Sequence, residues 1–279
     1  MSLPKISIVT PSFNQGHFIE ETILSIINQN YPNLEYIIID GGSTDNTVEI
    51  IKKYEKHLAY WVSEKDSGQS EAINKGFKKA TGDIICWINS DDFFMPGALI
   101  KVGEFFKNNR SLDLLNGHCL LIDEHSNILS NHFILKQKKW YAERGIYYVS
   151  QPSMFWKRSI LDAVGFLRED FHAVMDKELL IRIFRNDFKI GHINKILAAF
   201  RMHSTSKSSE GVSKIFLRDS AELEKMYGKY GKKPKLPYKI IYGVEKIVKG
   251  IYLKKWLFDL EWRGKKASDM NYRNSAYLK

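Results

Sequence analysis

The sequence predicts an α/β fold in which a mostly parallel sheet is flanked by helices and followed by a basic helical tail. Two observations predict the sheet: apolar runs alternate with helical spacing over the first 120 residues, and short polar stretches join them. Such alternation is typical of parallel strands connected through covering helices. With 44% hydrophobic and 27% charged residues, the 279-residue chain has a globular composition. Its length suits one large domain with an appendage, or two domains.

The first 120 residues contain their elements in a regular order. Strands are predicted at residues 5–10, 35–39, 59–62 and 83–88. Helices are predicted at residues 17–29, 46–54, 70–79 and after Pro96. Proline suits a first helical turn, and Ser43 or Thr44 is expected to cap the second helix. A parallel sheet of this kind holds its ligands at the carboxyl ends of its strands.

The rest of the chain is less regular and then becomes basic. Its middle part shows one clear helical stretch, around 176–184. Residues 210–279 hold 17 Lys and Arg against 8 Asp and Glu, a net charge of +9 out of +10 for the whole chain. We therefore divide the chain into 1–209, with halves of about 1–120 and 121–209, and a basic extension. A partner attracted by the excess positive charge is expected to bind this extension.

The cysteines and the N-terminal residues predict the compartment. Cys86 and Cys119 lie in apolar stretches without metal-ligand spacing, which favours a reducing compartment over a disulfide framework. No apolar stretch approaches the roughly 20 residues that span a bilayer, and residues 4–9 enter the first strand without a signal-peptide core. We expect a cytoplasmic protein, and peripheral attachment at the inner face of the membrane stays open.

Three polar stretches follow predicted strands: Thr10–Asn14, Asp40–Ser43 and Asn89–Asp92. We expect them to meet at one edge of the sheet. Asp91 and Asp92 are adjacent like charges at the end of an apolar run, so something must compensate their repulsion. One alternative is a solvated turn in which an aspartate caps the next helix. The other is a Mg²⁺ or Mn²⁺ site, because paired oxygen ligands suit these cations.

Each of the other polar motifs has a plain structural explanation, and two of them also have a functional alternative. Asp40 begins a glycine-containing turn, or accepts a hydrogen bond from a base or sugar. The stretch 66–76 opens a helix with capping residues, or presents the helix N-terminus and Lys75 to an anion. Asp176 alone is best explained as a helix cap, and His203 alone as a structural histidine. Neither GxGxxG nor GxxxxGK[ST] occurs, which excludes the dinucleotide and P-loop fingerprints.

Taken in order along residues 5–208, these motifs resemble those of the family 2 inverting glycosyltransferases, which have the GT-A fold. The matching segments are Val9–Asn14, Ile39–Asp45, Asp66–Gly68, Asn74–Gly76, Thr81–Asp83, Asn89–Asp92 with Pro96, Gln151–Pro152, Asp176–Leu179 and Arg201–His203. Each segment is weak alone, whereas the ordered series is highly specific. The resemblance implies a GT-A catalytic domain at 1–209, with a nucleotide-binding half and then an acceptor half.

The resemblance also implies a role for each matching residue. Asp176 matches the general base of the family, and Asp40 would face the uracil of a UDP-sugar. The implied nucleotide-binding residues are Thr10, Pro11, Phe13, Asp40, Asp66, Ser90 and Asp91. The implied ligands of the divalent cation, Mg²⁺ or Mn²⁺, are Asp91, Asp92 and His203. Asp91 and Asp92 fall in the DxD region of the family, where either could contact the cation that bridges the diphosphate.

The sequence departs from the family pattern at three positions. Asn89 stands where the first acid of the DxD region often is, and Gly41 replaces a frequent second aspartate after Asp40. Met175 replaces the glutamate before the base Asp176. The absence of a Gln-x-x-Arg-Trp motif weighs against a processive, cellulose-synthase-like polymerase.

The activity implied by the resemblance is transfer of a sugar from a nucleotide-sugar donor, a UDP-sugar, to an acceptor hydroxyl with inversion. The acceptor would be a glycan or a lipid-linked sugar in surface polysaccharide biosynthesis. Two alternatives stay open: a sugar nucleotidyltransferase, which would need a glycine-rich basic loop after the first strand, and a non-catalytic sugar-nucleotide-binding protein. No nucleic-acid motif accompanies the basic tail, so a nucleic-acid partner is not expected.

The tail contains apolar residues at helical spacing beside lysines between Tyr238 and Trp262. The apolar positions are Ile241, Val244, Val248, Ile251 and Tyr252. Such a helix either lies on an anionic membrane surface or docks on the catalytic domain or on a second subunit of a homodimer. Docking is slightly favoured, because amphipathic helices usually face a core.

Overall fold

The computed structural model describes residues 2–147, 149–204, 214–230, 236–248 and 250–270. The strands within these ranges are β1 (Ile6–Ser12), β2 (Leu34–Asp40), β3 (Tyr60–Ser63), β4 (Ile84–Trp87), β5 (Phe93–Phe94), β6 (Leu114–Ile122), β7 (Ile128–His132), β8 (Met154–Lys157) and β9 (Ile190–Arg201). The helices are α1 (Ile19–Ile27), α2 (Thr47–Lys53), α3 (Gln69–Lys79), α4 (Ala98–Asn108), α5 (Lys139–Ala142), α6 (Ser159–Val164), α7 (Met175–Arg185), α8 (Lys214–Tyr227), α9 (Leu236–Val248) and α10 (Ile251–Trp262).

The strands form one mixed sheet in the order β3-β2-β1-β4-β8-β6-β9-β5, with β7 paired to β6. Strands β1 to β4 are mutually parallel, as the alternating pattern predicts. Strand β8 runs antiparallel between β4 and β6, and thereby joins the second half of the chain to the first. The predicted boundary near residue 120 falls inside β6, so the two halves share a continuous sheet. The division into domains stays a prediction.

The local predictions in the parallel half are confirmed. Every predicted strand and bounded helix up to residue 80 begins and ends within two residues of its predicted limits, and so does the helix predicted at 176–184. All seven residues of β1 are buried, as expected of a strand covered on both faces. Ile8 and Val9 are adjacent in β1 but belong to apolar clusters on opposite faces of the sheet. Helices α1, α2 and α4 cover one face, and α3, α6 and α7 cover the other.

One local prediction is wrong, and the helix predicted after Pro96 is present. Neither Ser43 nor Thr44 caps α2: the Ser43 hydroxyl donates to Asp40, while Asp45 accepts from the backbone N–H of Thr47 at 3.0 Å. The short Asp45 side chain lies nearer the start of the helix and therefore satisfies that donor. The helix after Pro96 begins at Ala98, because Gly97 at φ +72° provides the left-handed residue that turns the chain into it.

The tail forms helices, but not the continuous one that its spacing suggests. Helices α9 and α10 are separated at Gly250, whose φ of +64° ends a right-handed helix. Phe258 and Trp262 of α10 are buried in an apolar cluster with β6 and β7, which supports the docking interpretation for this helix. Ile241, Val244, Val248 and Tyr252, in contrast, are exposed rather than directed to a core. In the described part of the chain, no helix combines the length and the apolar character that crossing a bilayer requires.

Candidate active site

A cleft of about 460 Å³ opens at the carboxyl ends of β1, β2 and β4, the edge of the sheet at which the sequence predicts a ligand. Six of the predicted site residues line it: Pro11, Phe13, Asp66, Ser90, Asp91 and His203. Gly68 and the α3 residues Gln69 and Ala72 also line it, as do Ser12 and Gln15. Thr10, Asp40, Asp92 and Asp176 do not line the cleft.

The Asp91 carboxylate and the His203 ring meet inside the cleft. Oδ2 of Asp91 and Nε2 of His203 are 3.0 Å apart, although the residues are separated by 112 positions in the chain. The sheet accounts for this meeting, because Asp91 precedes β5, His203 follows β9, and these two strands pair in antiparallel fashion with Phe93 opposite Ala199. The His203 ring also packs on Phe18, with 4.8 Å between the ring centroids. The pair presents an oxygen and a nitrogen ligand to the same space.

Asp92 occupies the layer beneath the cleft and is only 1% exposed. Its Oδ1 accepts from the backbone N–H of Arg201 at 2.9 Å, and its Oδ2 accepts from the amide of Asn89 at 3.2 Å. Burial, with the neighbouring Asp91 carboxylate, raises the pKa of Asp92 well above its usual value. The departure at Asn89 follows from this geometry, because an amide donates to Asp92 whereas an ionised aspartate could not.

Arg201 organises this layer, and no role was assigned to it from the sequence. It is 1% exposed, and its guanidinium donates to the carbonyl oxygens of Asp91, Asp123 and Glu124 and to the carboxylate of Glu21. The guanidinium thereby joins the turn after β4, the loop after β6 and helix α1. Arg201 belongs to a matched segment, but nothing in the sequence distinguishes its buried contacts from those of a surface arginine.

Phe13 and Asp66 also line the cleft. Phe13 is 58% exposed and offers an aromatic face at the entrance. Burial raises the pKa of Asp66, and its Oδ1 accepts from the backbone N–H of Gly68. The departure at Gly41 has a steric explanation here, since a Cβ at that residue would stand 2.8 Å from Asp66 Oδ2. A second aspartate after Asp40 would require the Asp66 carboxylate to shift.

Asp40 is completely buried. Its carboxylate accepts from the backbone N–H groups of Gly42 and Ser43 and from the hydroxyls of Ser43 and Ser63. The turn that it builds binds Asn14, whose N–H donates to Ser43 Oγ at 2.8 Å, and so positions the neighbouring Phe13. Thr10 is also buried, and its hydroxyl accepts from Tyr36. The direct nucleotide contacts implied for Asp40 and Thr10 stay predictions.

Two polar atoms at the cleft lack hydrogen-bond partners among the described residues, which indicates that a ligand binds there. Ser12 Oγ and Gln15 Oε1 are buried, lie among the residues that line the cleft, and have no hydrogen-bond partner within the described part of the chain. A buried polar group without a partner costs about 1–3 kcal/mol, which a bound ligand would recover. The sequence analysis missed both, and the only available signal was their position just after the first strand.

Asp176 lies in the first turn of α7, outside the cleft itself. The loop before α7 is attached to the cleft wall: Ser70 donates to the Phe171 carbonyl, and the Asn74 amide donates to the Leu167 carbonyl at 2.8 Å. Burial raises the pKa of Asp176. Met175 is buried in the apolar core, which explains why no glutamate precedes Asp176.

The tail contributes a residue that the sequence analysis missed. Asp219 of α8 is 1% exposed, and its Oδ2 accepts from the backbone N–H groups of His172 and Ala173, each at 2.9 Å. These contacts fix the segment that leads into Asp176. Lys75, offered above for an anion, forms ion pairs with Glu64 at 3.0 Å and Glu71 at 2.9 Å instead.

The ligands in the cleft fit a cation shared with a substrate rather than a closed protein cage. Among the residues described by the structure, no three His, Cys, Asp or Glu side chains converge on a common point. Asp91 and His203 supply two ligands, and Mg²⁺ is usually held by one or two carboxylates together with substrate phosphates and water. Asp92 was predicted as a further ligand, but its carboxylate is bonded beneath the cleft. We therefore keep Asp91 and His203 as the candidate ligands.

The fold matches that of solved GT-A glycosyltransferases. TarS of S. aureus superposes with a TM-score of 0.60 at 19% identity, over 79% of this chain and 40% of TarS. The mannosyltransferase PcManGT from Pyrobaculum calidifontis, solved with GDP-Man and Mn²⁺, gives a TM-score of 0.58 at 16% identity, over 88% of this chain and 70% of that one. At these identities the likeness shows the fold alone.

The chain belongs to glycosyl transferase family 2, whose model matches residues 7–165. A glycosyltransferase of Methanocaldococcus jannaschii is 30% identical over 212 residues, which are 72% of each chain. The putative teichuronic acid biosynthesis glycosyltransferase TuaG of Bacillus subtilis is 34% identical over 43% of this chain and 49% of its own length. The resemblance found in the sequence is thereby confirmed, and the nucleotidyltransferase alternative loses its support.

Proposed function

We propose that this protein transfers a sugar from a UDP-sugar to an acceptor hydroxyl with inversion, and that a divalent cation assists the reaction. The observation that carries the proposal is the Asp91–His203 pair inside a cleft at the carboxyl ends of the parallel strands. The pair faces the space that Phe13 and Asp66 also line. An aromatic face, unpartnered polar atoms and a cation site are the groups that a sugar nucleotide requires.

The donor is proposed from the cleft and from the comparisons. Phe13 can stack on a base, while Ser12 Oγ and Gln15 Oε1 lack partners that a base or ribose could supply. TarS was solved in complex with UDP-GlcNAc, and it shares the fold over 79% of this chain. PcManGT was solved with GDP-Man, so a guanosine donor is the competitor that the experiment must include.

The cation would be held by Asp91 and His203. When bound, a divalent cation supplies a Lewis acid that stabilises the negative charge developing on the departing nucleoside diphosphate. Asp91 contributes a negative charge to this site, and Phe18 with Arg201 fixes the position of the His203 ring from behind. The turn that carries Asp91 is held from below by Thr22, whose hydroxyl donates to the Ser90 carbonyl at 2.9 Å.

Asp176 is the proposed general base. It would accept the proton of the acceptor hydroxyl while the hydroxyl oxygen forms its bond to the anomeric carbon and the bond to the diphosphate oxygen breaks. A carboxylate in this position contributes about 10²–10⁴-fold to the rate. The pKa of Asp176, raised by burial, moves its basicity toward the value that suits a base at neutral pH. A single base without a nucleophilic carboxylate suits one displacement with inversion.

The acceptor is proposed to be a glycan or a lipid-linked sugar in surface polysaccharide biosynthesis. TuaG is named for teichuronic acid biosynthesis, and a Campylobacter jejuni relative, 25% identical over 76% of this chain, is named as a glucosyltransferase that acts on an undecaprenol-linked glycan.

A thermal-shift screen of sugar nucleotides with and without Mn²⁺ tests the donor. A ligand that binds only the folded state stabilises it by about 2.7 kcal/mol at about 100 times its Kd. We expect UDP-sugars with Mn²⁺ to raise the melting temperature more than GDP-mannose or UDP-sugars with a chelator. A larger shift with GDP-mannose would contradict the uridine assignment, and shifts that ignore Mn²⁺ would contradict the cation.

The variant Asp176→Asn tests the chemistry. It should abolish transfer to the acceptor while the Kd for the donor stays nearly unchanged, because the amide cannot take a proton. The matched control is Asp170→Asn, which makes the same change at an exposed residue of the preceding loop and should keep its activity. Retained turnover in Asp176→Asn would remove this residue from the role of base.

A further inference from the structure

Helix α9 exposes its apolar face. Five side chains are between 47% and 79% exposed, and their spacing of one, three or four places them on one side of the helix: Ile240, Ile241, Val244, Ile247 and Val248. A surface helix of a globular protein normally buries such a stripe and exposes its charged side. Helix α9 does the reverse, so packing against the described part of the chain does not account for its sequence.

The polar side of α9 faces the rest of the protein and fixes this orientation. Glu245 forms an ion pair with Lys138 at 3.0 Å, and only 18% of its side chain is exposed. Lys246 lies over the ring of Tyr252 at 5.8 Å, and burial lowers its pKa. Turning the helix by half a rotation would bury the apolar stripe but break these contacts.

Helix α10 continues the exposed apolar surface. Its Phe258 and Trp262 are buried, whereas Leu253, Trp256 and Leu260 on the other side are 58–68% exposed. Tyr252, at 51% exposure, lies at the junction with α9. We call the nine residues the tail face: Ile240, Ile241, Val244, Ile247, Val248, Tyr252, Leu253, Trp256 and Leu260. Large exposed apolar surfaces mark interaction sites.

Positive charge surrounds the tail face along the chain. Lysines occupy positions 229, 232, 233 and 235 just before α9, and position 249 between the two helices. Arg263 and Lys265, which follow α10, are exposed. With a net charge of +9 over residues 210–279, two copies of this region would repel each other, whereas an anionic surface would attract each of them.

We propose that the tail face binds an anionic lipid surface, with its apolar side chains entering the boundary between headgroups and acyl chains and the flanking cations meeting the headgroups. Interfacial helices combine these two terms: buried apolar area and attraction of each Lys or Arg to anionic lipid. Trp256 suits the headgroup level, because an indole is apolar with one polar N–H. The proposal is independent of the sugar that the cleft binds.

Co-sedimentation of the full chain with vesicles tests the proposal. Vesicles of phosphatidylcholine containing one third phosphatidylglycerol should bind the protein at least about tenfold more strongly than phosphatidylcholine alone, and added salt should weaken the binding. The variants Ile247→Ser and Trp256→Ser should each weaken it several-fold. Because both side chains are exposed, the melting temperatures should match that of the unmodified chain.

The matched control is Ile215→Ser on α8, which removes an exposed isoleucine from the same basic part of the chain but outside the tail face. It should leave vesicle binding unchanged. Equal loss in this control, equal binding to both kinds of vesicle, or no binding at all would overturn the proposal. So would a dimer in sedimentation velocity that Ile247→Ser dissociates while vesicle binding persists unchanged, because the tail face would then be an interface between two copies.

Discussion

Asp91 and Asp92 are neighbours in the chain but belong to two regions of opposite character. Asp91 faces the cleft, where its Oδ2 meets His203 and a ligand has access. Asp92 faces the layer beneath, where the Arg201 backbone and Asn89 take up its two oxygens. One carboxylate is available for chemistry, and the other holds the turn that presents it. Identical residue types at adjacent positions thus differ in environment because the chain turns between them.

The largest effect is expected from Asp91→Asn in the cleft. The loss of its charge should lower the rate of sugar transfer by about 10²–10³-fold, as removal of one preorganised electrostatic group typically does. The free energy of unfolding should change little, because the amide can still bond to His203. Steady-state transfer assays and urea unfolding measure the two quantities, with Asp269→Asn at an exposed position as control. If the variant is fully active, the Asp91 carboxylate does not take part in sugar transfer.

Asp92→Ala tests the layer beneath and should act on stability. It leaves the Arg201 N–H and the Asn89 amide without acceptors, at about 1–3 kcal/mol each, so we expect a loss of about 2–6 kcal/mol in the free energy of unfolding. Asp92→Asn keeps an acceptor oxygen and avoids repulsion with Asp91, and should cost less. Urea unfolding distinguishes them. If Asp92→Ala is as stable as the unmodified chain, the layer does not hold the turn.

A smaller effect is expected from Asp219, and it should show whether this residue positions Asp176 or takes part in donor binding. Asp219→Ala releases the backbone N–H groups of His172 and Ala173, and the loop before Asp176 can then move. Misplacement of a catalytic group by about 1 Å can cost up to about 10²-fold, and we expect about a tenfold loss in kcat with an unchanged Kd for the donor. Asp219→Asn retains an acceptor and should recover most of the activity. A changed Kd with normal kcat would place Asp219 in donor binding instead.

The last prediction concerns the pH dependence of stability and the buried His118. His118 of β6 is 1% exposed, and burial lowers its pKa to about 3. The unfolded chain binds a proton near pH 6.5 whereas the folded chain does not, so the stability that neutral His118 provides is complete above pH 6.5 and is lost as the pH falls toward 3. Between pH 6.5 and pH 5 the resulting loss in the free energy of unfolding is about 2 kcal/mol.

The variant His118→Gln should remove that part of the pH dependence. Its amide can still donate to Asn194 Oδ1, the partner of His118 Nε2. Urea unfolding at pH 6.5 and pH 5 should therefore show a smaller difference for the variant than for the unmodified chain. An identical difference would mean that His118 titrates normally in the folded protein.

Much of the fold could be predicted from the sequence because its elements are local. Apolar periodicity defines β1 to β4 and α1 to α3 within two residues, and the helical crossovers between successive strands make the strands parallel. The polar residues after those strands then had to meet at one edge. Strand β8 could not be placed in the same way: its four residues pair with β4 and β6, which are distant in sequence, and no periodicity encodes such a partner.

The sequence by itself determined the family, the parallel sheet and the residue types available at its carboxyl edge, because spacing and order along the chain are sufficient for these. Only the tertiary structure decided that Asp91 rather than Asp92 faces the cleft, that Arg201 and Asp219 hold the site from behind, and that α9 presents its apolar side outward. Burial and orientation are properties of several elements packed together. A side chain's direction therefore depends on neighbours that its own segment does not specify.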